Sequence, residues 1–214
     1  MELLLATRNA HKTREFAQLL GNEFKVADLN SFSQIQAVEE TGSTFAENAI
    51  LKAISASEII VDLATGRVRP AGGLVLADDS GLEVDALDGA PGIYSARYAG
   101  DSATDKENVA KLLKDLAQLG TEGVKRSARF RCVLALARHG ELLGTFDGVI
   151  EGAIVDVARG SSGFGYDPIF VPSGFGRTFA ELPREMKNQI SHRAKAIGAF
   201  CAAFRAGNIE GVPN

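Results

Sequence analysis

A mixed α/β fold is what this chain predicts, and three observations carry the prediction. Strand-sized apolar runs, LLLA at 3–6, LVLAD at 74–78 and RFRCVLALA at 129–137, alternate with segments whose apolar residues recur at three- and four-residue steps. Capping-box spacing occurs at Thr44–Glu47 and at Thr104–Glu107, each time just before such a helical segment. Glycine-bearing turns such as His139-Gly140 divide the β-rich middle into hairpins, so the sheet is expected to be mixed rather than all parallel. With 214 residues the chain can bury a sizeable core as a single domain with room for two lobes.

The elements follow in order. LLLA reads as a strand, TRNAHK as a turn, and Phe16, Leu19 and Leu20 as one face of a helix closed by Gly21. After a polar stretch, Thr44 opens a helix whose apolar face is Phe45, Ala49, Ala53, Ala56 and Ile60, with Asn48, Lys52 and Ser55 on another face. The Gly/Pro loop TGRVRPAGG leads into LVLAD, and a long loop through APGIYSARYAG follows. Thr104 starts a helix carrying Val109, Leu112, Leu113 and Leu116. RFRCVLALA and LLGTFDGVIEGAIVDV form the β-rich centre, and the glycine-rich SSGFGYDP precedes the strand IFV. A final helix puts Ile190, Ala194, Ile197, Cys201 and Phe204 on one face.

Composition narrows the function classes. The net charge of −4, with acids and bases interleaved, argues against a nucleic-acid partner. No apolar run reaches membrane-spanning length, and MELLLATRN lacks the basic region and long apolar core of a signal peptide, so a cytoplasmic protein with no membrane partner is expected. Cys132 and Cys201 sit in apolar segments and read as buried thiols, not as a disulfide or a metal site.

Four clusters could carry chemistry. In T-R-N-A-H-K at 7–12, Thr7 or Asn9 can cap the helix, while the N–H groups of the first turn and Lys12 can cradle phosphate oxygens; the G-x-x-x-x-G-K-[ST] pattern is absent. In E-E-T-G at 39–42 and A-D-D-S-G at 77–81, Glu39, Glu40, Asp78 and Asp79 are hard oxygen donors suited to Mg²⁺ when a substrate phosphate completes the shell. At the end of a buried strand, Asp78 and Asp79 would point to opposite faces. In S-S-G-F-G-Y-D-P, Gly163 and Gly165 allow close backbone approach, and Phe164 and Tyr166 supply aromatic faces beside Asp167. In K-N-Q-I-S-H-R at 187–193, Ser191 can cap a helix beginning with His192 and Arg193, cations where the helix dipole prefers an anion; if the helix starts after Pro183 instead, they are a polar face.

Taken together, ATRNAHK, VEETGSTFAENAILKA, LADDSGLEVDALDGAPGIYSARYAG, FGYDPIF and KNQISHRAKA resemble, in order and spacing, the inosine triphosphate pyrophosphatase family, enzymes that remove non-standard purine nucleotides. The resemblance runs from about residue 3 to residue 205. It implies hydrolysis of ITP, dITP and XTP to the monophosphate and pyrophosphate with Mg²⁺. It also implies an elongated α/β fold, with a long mixed sheet flanked by helices and two lobes around a cleft, and a homodimer. Residue by residue, it implies that Thr7, Asn9 and Lys12 hold the triphosphate, with Lys52 near the phosphates; Arg8, Ala10 and His11, in the same turn, are candidate substrate contacts. Glu39 and Asp79 match the metal site, Asp79 is also cast as proton acceptor, and Ser80 contacts substrate. Phe164, Gly165, Tyr166 and Asp167, with Lys187, His192 and Arg193, match the nucleoside end. Physically, Asp78 is a rival base, because a cation on Asp79 lowers its proton affinity. Arg8 and His11 depart from the small residues frequent in the family, adding positive charge to the cradle or turning to solvent. The competing readings are a house-cleaning pyrophosphatase for dTTP and UTP, and a nucleotide-binding regulator without turnover.

Overall fold

The computed structural model describes residues 1–32, 38–63, 73–120 and 126–209. Its elements are β1 (Glu2–Leu5), α1 (Ala10–Leu20), β2 (Lys25–Asp28), α2 (Phe45–Leu63), β3 (Val75–Val84), α3 (Asp105–Gln118), β4 (Ser127–Arg138), β5 (Glu141–Ile154), β6 (Phe170–Pro172), α4 (Arg184–Ile190) and α5 (His192–Arg205). The strands form one six-stranded sheet in the order β2-β1-β3-β4-β5-β6. β1 runs parallel to β2 and β3, whereas β5 and β6 are antiparallel. β4 and β5 are joined by His139 and Gly140, both at positive φ (56° and 78°), the backbone of a tight two-residue hairpin that permits only antiparallel pairing. The mixed sheet with flanking helices is therefore as predicted.

Two compact units share this sheet. The first comprises Met1–Asp79, Cys132–Gly148 and Arg193–Asn214. Its core packs Leu3 and Leu5 of β1, Phe16 and Leu20 of α1, Leu76 of β3, Leu134 and Leu136 of β4, and Ile197 and Phe200 of α5. The second comprises Ser80–Arg131 and Val149–His192, with Leu82, Val84, Leu112, Leu116, Phe130, Ile150, Phe170 and Phe179 inside. Full burial of each such side chain contributes about 1.5–3 kcal/mol, so either core by itself outweighs a few local conflicts.

The helices form where spacing and caps put them. Asn9 caps α1 by accepting from the His11 and Lys12 N–H groups, and Gly21 at φ 61° ends it. On α2, Phe45, Ala49, Ala53 and Ala56 are buried as expected, while the Ile60 side chain and residues 64–72 lie outside the described residues. Thr104 and Glu107 form the complete capping box of α3. At α2 the pattern is altered: Thr44 Oγ1 accepts from Glu47 N, but the Glu47 carboxylate reaches one residue further, to Ser43 N (2.6 Å) and Ser43 Oγ (2.8 Å).

Three features differ from expectation. β2 falls in the stretch that reads as polar, because a four-residue, partly exposed edge strand shows too little alternation to be seen. β3 does not stop at Asp78 but runs ten residues to Val84, since both aspartates find cationic partners and the strand need not end to hydrate them. The last helix is two helices, α4 and α5, separated at Ser191, which is extended (φ −65°, ψ 159°), so both alternatives for its start are realised. α5 then buries Ala196, Ile197, Phe200 and Cys201, with Ala194 and Phe204 at the edge of that face and Ile190 on the other side of the break. Among the described residues no helix is long and apolar enough to cross a membrane.

Candidate active site

Asp78 and Asp79 occupy the middle of β3, where the two-residue period of a strand sends them to opposite faces. Asp78 meets α1 and α5. Lys12 Nζ donates to its Oδ2 at 2.8 Å, and Arg193 Nε lies 3.8 Å from the same oxygen. Arg193 Nη1 in turn donates to Glu15 Oε2 at 3.0 Å. The result is a chain of alternating charge, lysine, aspartate, arginine, glutamate, of which Asp78, Arg193 and Glu15 are buried. Burial opposes the Asp78 charge, but Lys12, Arg193 and Lys52 more than offset it and hold its carboxyl far below the usual carboxylate range.

Asp79 meets α2. Lys52 Nζ donates both to Asp79 Oδ1 (3.0 Å) and to Glu40 Oε1 (2.9 Å), and Asn48 Nδ2 donates to Asp79 Oδ2 at 3.3 Å. Burial pushes the Asp79 carboxyl above its ordinary pKa, Lys52 works against that, and the nearby Glu40 charge adds to it. Lys52 is desolvated too, yet Asp79, Asp78 and Glu40 raise its pKa, so it stays an ammonium. Adjacent aspartates thus have opposed protonation behaviour, the environmental split by which two carboxyl groups acquire different roles.

Glu40, not Glu39, is the acid brought to this cluster: Glu39 is exposed, while Glu40 shares the Lys52 ammonium with Asp79. Two hard carboxylates that converge on one cation position suit a divalent ion that takes its remaining ligands from substrate phosphate and water. Among the described residues no group of three or more His, Cys, Asp or Glu side chains comes together as a metal cage.

The cradle at 7–12 is partly occupied by its own cap. The His11 and Lys12 N–H groups donate to Asn9 Oδ1, and Thr7 Oγ1 accepts from Asn9 N at 3.2 Å. Lys12 remains the cation of the turn. Arg8 is exposed, and its guanidinium donates to the carbonyl oxygens of Leu29 (2.8 Å) and Phe32 (3.5 Å), which reinforces the turn after β2. His11 is exposed, with Nδ1 3.2 Å from Arg14 Nη2. Ala10 is the first residue of α1.

In the second unit the loop 161–168 is a folded device. Asp167 is buried and accepts from Lys187 Nζ (2.6 Å) and from Phe164 N (2.9 Å). Gly163, at φ 80°, has no room for a side chain, since a Cβ there would collide with Asp167 Oδ2. Gly165 N donates to Asp105 Oδ2 at 2.7 Å. Lys187 lies 5.0 Å from the centre of the half-buried Phe164 ring. Tyr166 cannot be the stacking surface: it is buried in the core, its hydroxyl donates to Ser95 O at 2.8 Å, and burial pushes its pKa up. Phe164 is the aromatic face that remains. His192 stacks on Phe130, centroids 4.8 Å apart and 11° from parallel. Ser80, half-buried, follows Asp79 on β3.

The sequence reading put Arg193 with the nucleoside residues, expecting a bound anion to balance a cation at a helix start. The balancing charge is Asp78 together with Glu15. Glu15 went unnoticed, although Lys12-x-x-Glu15 places an acid one helical turn after a cation and beside the core residue Phe16. Asn48 was visible as a polar residue opposite the apolar face of α2, without a role.

The fold is a mixed α/β sheet, and its strand β3 carries an ion cluster on each face. The chain belongs to the Ham1 family, whose model matches residues 3–203. It is 48% identical over 197 residues to a dITP/XTP pyrophosphatase of Listeria monocytogenes serotype 4b, covering 92% of this chain and 91% of that one. To the dITP/XTP pyrophosphatase of Geobacter sulfurreducens it is 50% identical over 196 residues, 91% of this chain and 92% of the other. Among solved structures, a HAM1 protein from Coxiella burnetii superposes with a TM-score of 0.81 at 41% identity, covering 96% of this chain and 99% of that one.

Proposed function

We propose that this chain hydrolyses ITP, dITP and XTP to the nucleoside monophosphate and pyrophosphate, and so removes non-standard purine nucleotides. The observation that carries the reading is the split pair on β3, one aspartate locked as a counter-ion and its neighbour held with raised proton affinity beside a shared lysine. Relatives named dITP/XTP pyrophosphatase at 48% and 50% identity support it.

In the proposed reaction a water oxygen forms a bond to the α-phosphorus, the α–β bridging bond breaks, and its electron pair leaves with pyrophosphate. Asp79 is the proposed acceptor of the attacking water's proton, the role that the family resemblance implies for it. Asp78 cannot compete, because its charge already neutralises Lys12 and Arg193. Lys12 and Lys52 have further N–H donors for the phosphate oxygens, where negative charge grows as pyrophosphate leaves. Asp79 and Glu40 would hold Mg²⁺, which would supply charge neutralisation at the phosphate oxygens. Asp79 Oδ1 shares Lys52 with Glu40 and belongs to the cation side, so Oδ2 is the proton-accepting oxygen.

Phe164 is the proposed stacking face for the base. Lys187 and His192 are the proposed donors to the 6-oxo group of hypoxanthine or xanthine; adenine presents an amino donor there, and the unpaired polar groups left behind would reject it. The family resemblance also supports a cytoplasmic homodimer, which light scattering of the purified protein checks.

The test is ITP hydrolysis with and without Mg²⁺, identifying the product. Pyrophosphate formed only with the metal supports the reading, whereas orthophosphate as sole product overturns it. Steady-state comparison of ITP, XTP, dTTP and UTP checks substrate class, and preference for the pyrimidines sinks the purine assignment.

A further inference from the structure

Asn48 lies on α2 one turn before Lys52 and is completely buried, 0% exposed. A primary amide in that position must find partners for both ends, and it does: Oδ1 accepts from Gly42 N at 2.8 Å, and Nδ2 donates to Asp79 Oδ2 at 3.3 Å. The orientation of the amide is forced. Gly42 N–H can only donate, so the carbonyl end must face it, and the N–H₂ end is left for the aspartate. Gly42 itself is required by this contact, since a Cβ there would lie 2.7 Å from Asn48 Oδ1.

Lys52 makes the same connection with charge, joining Asp79 Oδ1 to Glu40. Two side chains four residues apart on one helix thus tie the same strand carboxylate to the same loop, 39–42, one through each carboxylate oxygen. They differ in stiffness. Lys52 has a long flexible stem that can swing to a phosphate, whereas Asn48 has two χ angles and no other place to go. When Lys52 turns to the triphosphate, Asn48 is the link that still fixes Asp79 against the loop carrying Glu40.

We propose that Asn48 is a positioning residue for the hydrolysis: it fixes the rotation of the Asp79 carboxylate, presents Oδ2 to the attacking water, and keeps Glu40 in register with Asp79. Its effect on turnover rests on the function proposed above, while its effect on Asp79 does not. The discriminating variant is Asn48→Asp, which is isosteric, keeps the acceptor for Gly42 N, and puts an oxygen in place of the donor to Asp79. With ITP and Mg²⁺, kcat per folded molecule is expected to fall about 10- to 100-fold, the range typical of residues that orient a metal-binding side chain, with KM changed less than threefold; the buried acid beside Asp79 lowers the melting temperature, so turnover is read where the variant is still folded. Asn48→Ala, which frees the loop as well, is expected to lose kcat similarly and raise KM. Asn48→Asp turning over within twofold of wild type overturns the proposal, as does a loss of kcat that merely follows loss of folded protein. A crystal structure of Asn48→Asp separates this from the functional reading: an Asp79 carboxylate rotated away from Lys52 supports the inference whatever the enzyme hydrolyses, and an unmoved Asp79 refutes it. If wild type releases no pyrophosphate from ITP, the functional reading fails and the structure of the variant still decides the role of Asn48.

Discussion

The two faces of β3 carry ion clusters made from similar residues and arranged to opposite ends. On one face Lys12, Asp78, Arg193 and Glu15 alternate in sign and sum to zero. On the other, Asp79 and Glu40 share one lysine, leaving two carboxylates against a single ammonium. Burial, with a smaller contribution from the Glu40 charge, raises the Asp79 pKa, while surrounding cations depress that of Asp78. The contrast teaches that adjacent identical residues divide labour by partner count: a fully compensated acid is structural, and an under-compensated one can accept a proton or a metal.

The strongest way to break the comparison is to neutralise the under-compensated acid. Asp79→Asn keeps shape and removes charge, so pyrophosphate release should drop by about 10²- to 10⁴-fold, the usual contribution of a positioned base, while the melting curve stays near wild type. Turnover within a few-fold of wild type would move the proton-accepting role elsewhere.

Asp78→Ala should do the reverse. It leaves Lys12 and Arg193 facing each other inside the protein without their shared carboxylate, and removing one partner of a buried pair costs about 3–5 kcal/mol of stability. An unfolding free energy, from urea titration, lowered by less than a third of that would show that the closed cluster holds little together. The pH dependence carries the same sign. The folded pKa of Asp78 lies below the ordinary aspartate value of 3.8, so its contribution is complete above that value and is lost as acid carries the pH down through the folded pKa. Asp78→Ala should therefore flatten the acid limb of the metal-free stability curve.

In the second unit the effect should be milder and of another kind. Phe164→Ala removes a stacking face worth about 1–3 kcal/mol per base in comparable settings, so KM for ITP should rise roughly tenfold with kcat changed much less. Equal losses in both would mean that the Phe164 ring acts by packing against Lys187 and shaping the loop, not by stacking on the base.

What the sequence made legible follows the range of the interactions involved. Helix caps, apolar faces and the His139-Gly140 hairpin depend on residues a few positions apart, and all appear in the fold. The opposite aim of Asp78 and Asp79 was also legible, because strand alternation is local. The partners were not. Arg193 and Glu15 are 178 positions apart, and Glu40 and Glu39 differ only in which side of an irregular loop faces α2. Tyr166 and Phe164 look equivalent in the motif, yet the loop buries one ring and half-exposes the other.

The finest test asks whether burial, and not ion pairing as such, sets the strength of the closed cluster. Arg205 and Glu23 form an ion pair in the same unit at 2.6 Å, with an additional bond from Nε at 3.2 Å, better geometry than Lys12 and Asp78 at 2.8 Å. The difference is solvent: the Arg205 side chain is 65% exposed, against 4% for Asp78. Exposed charges lose little hydration on pairing and lose little when the pair is broken. Arg205→Ala should therefore leave the urea midpoint indistinguishable from wild type and kcat unchanged, although the deleted contact is the shorter one. A loss rivalling that of Asp78→Ala would mean that contact distance, not desolvation, ranks these pairs, and the division of labour across β3 would need another cause.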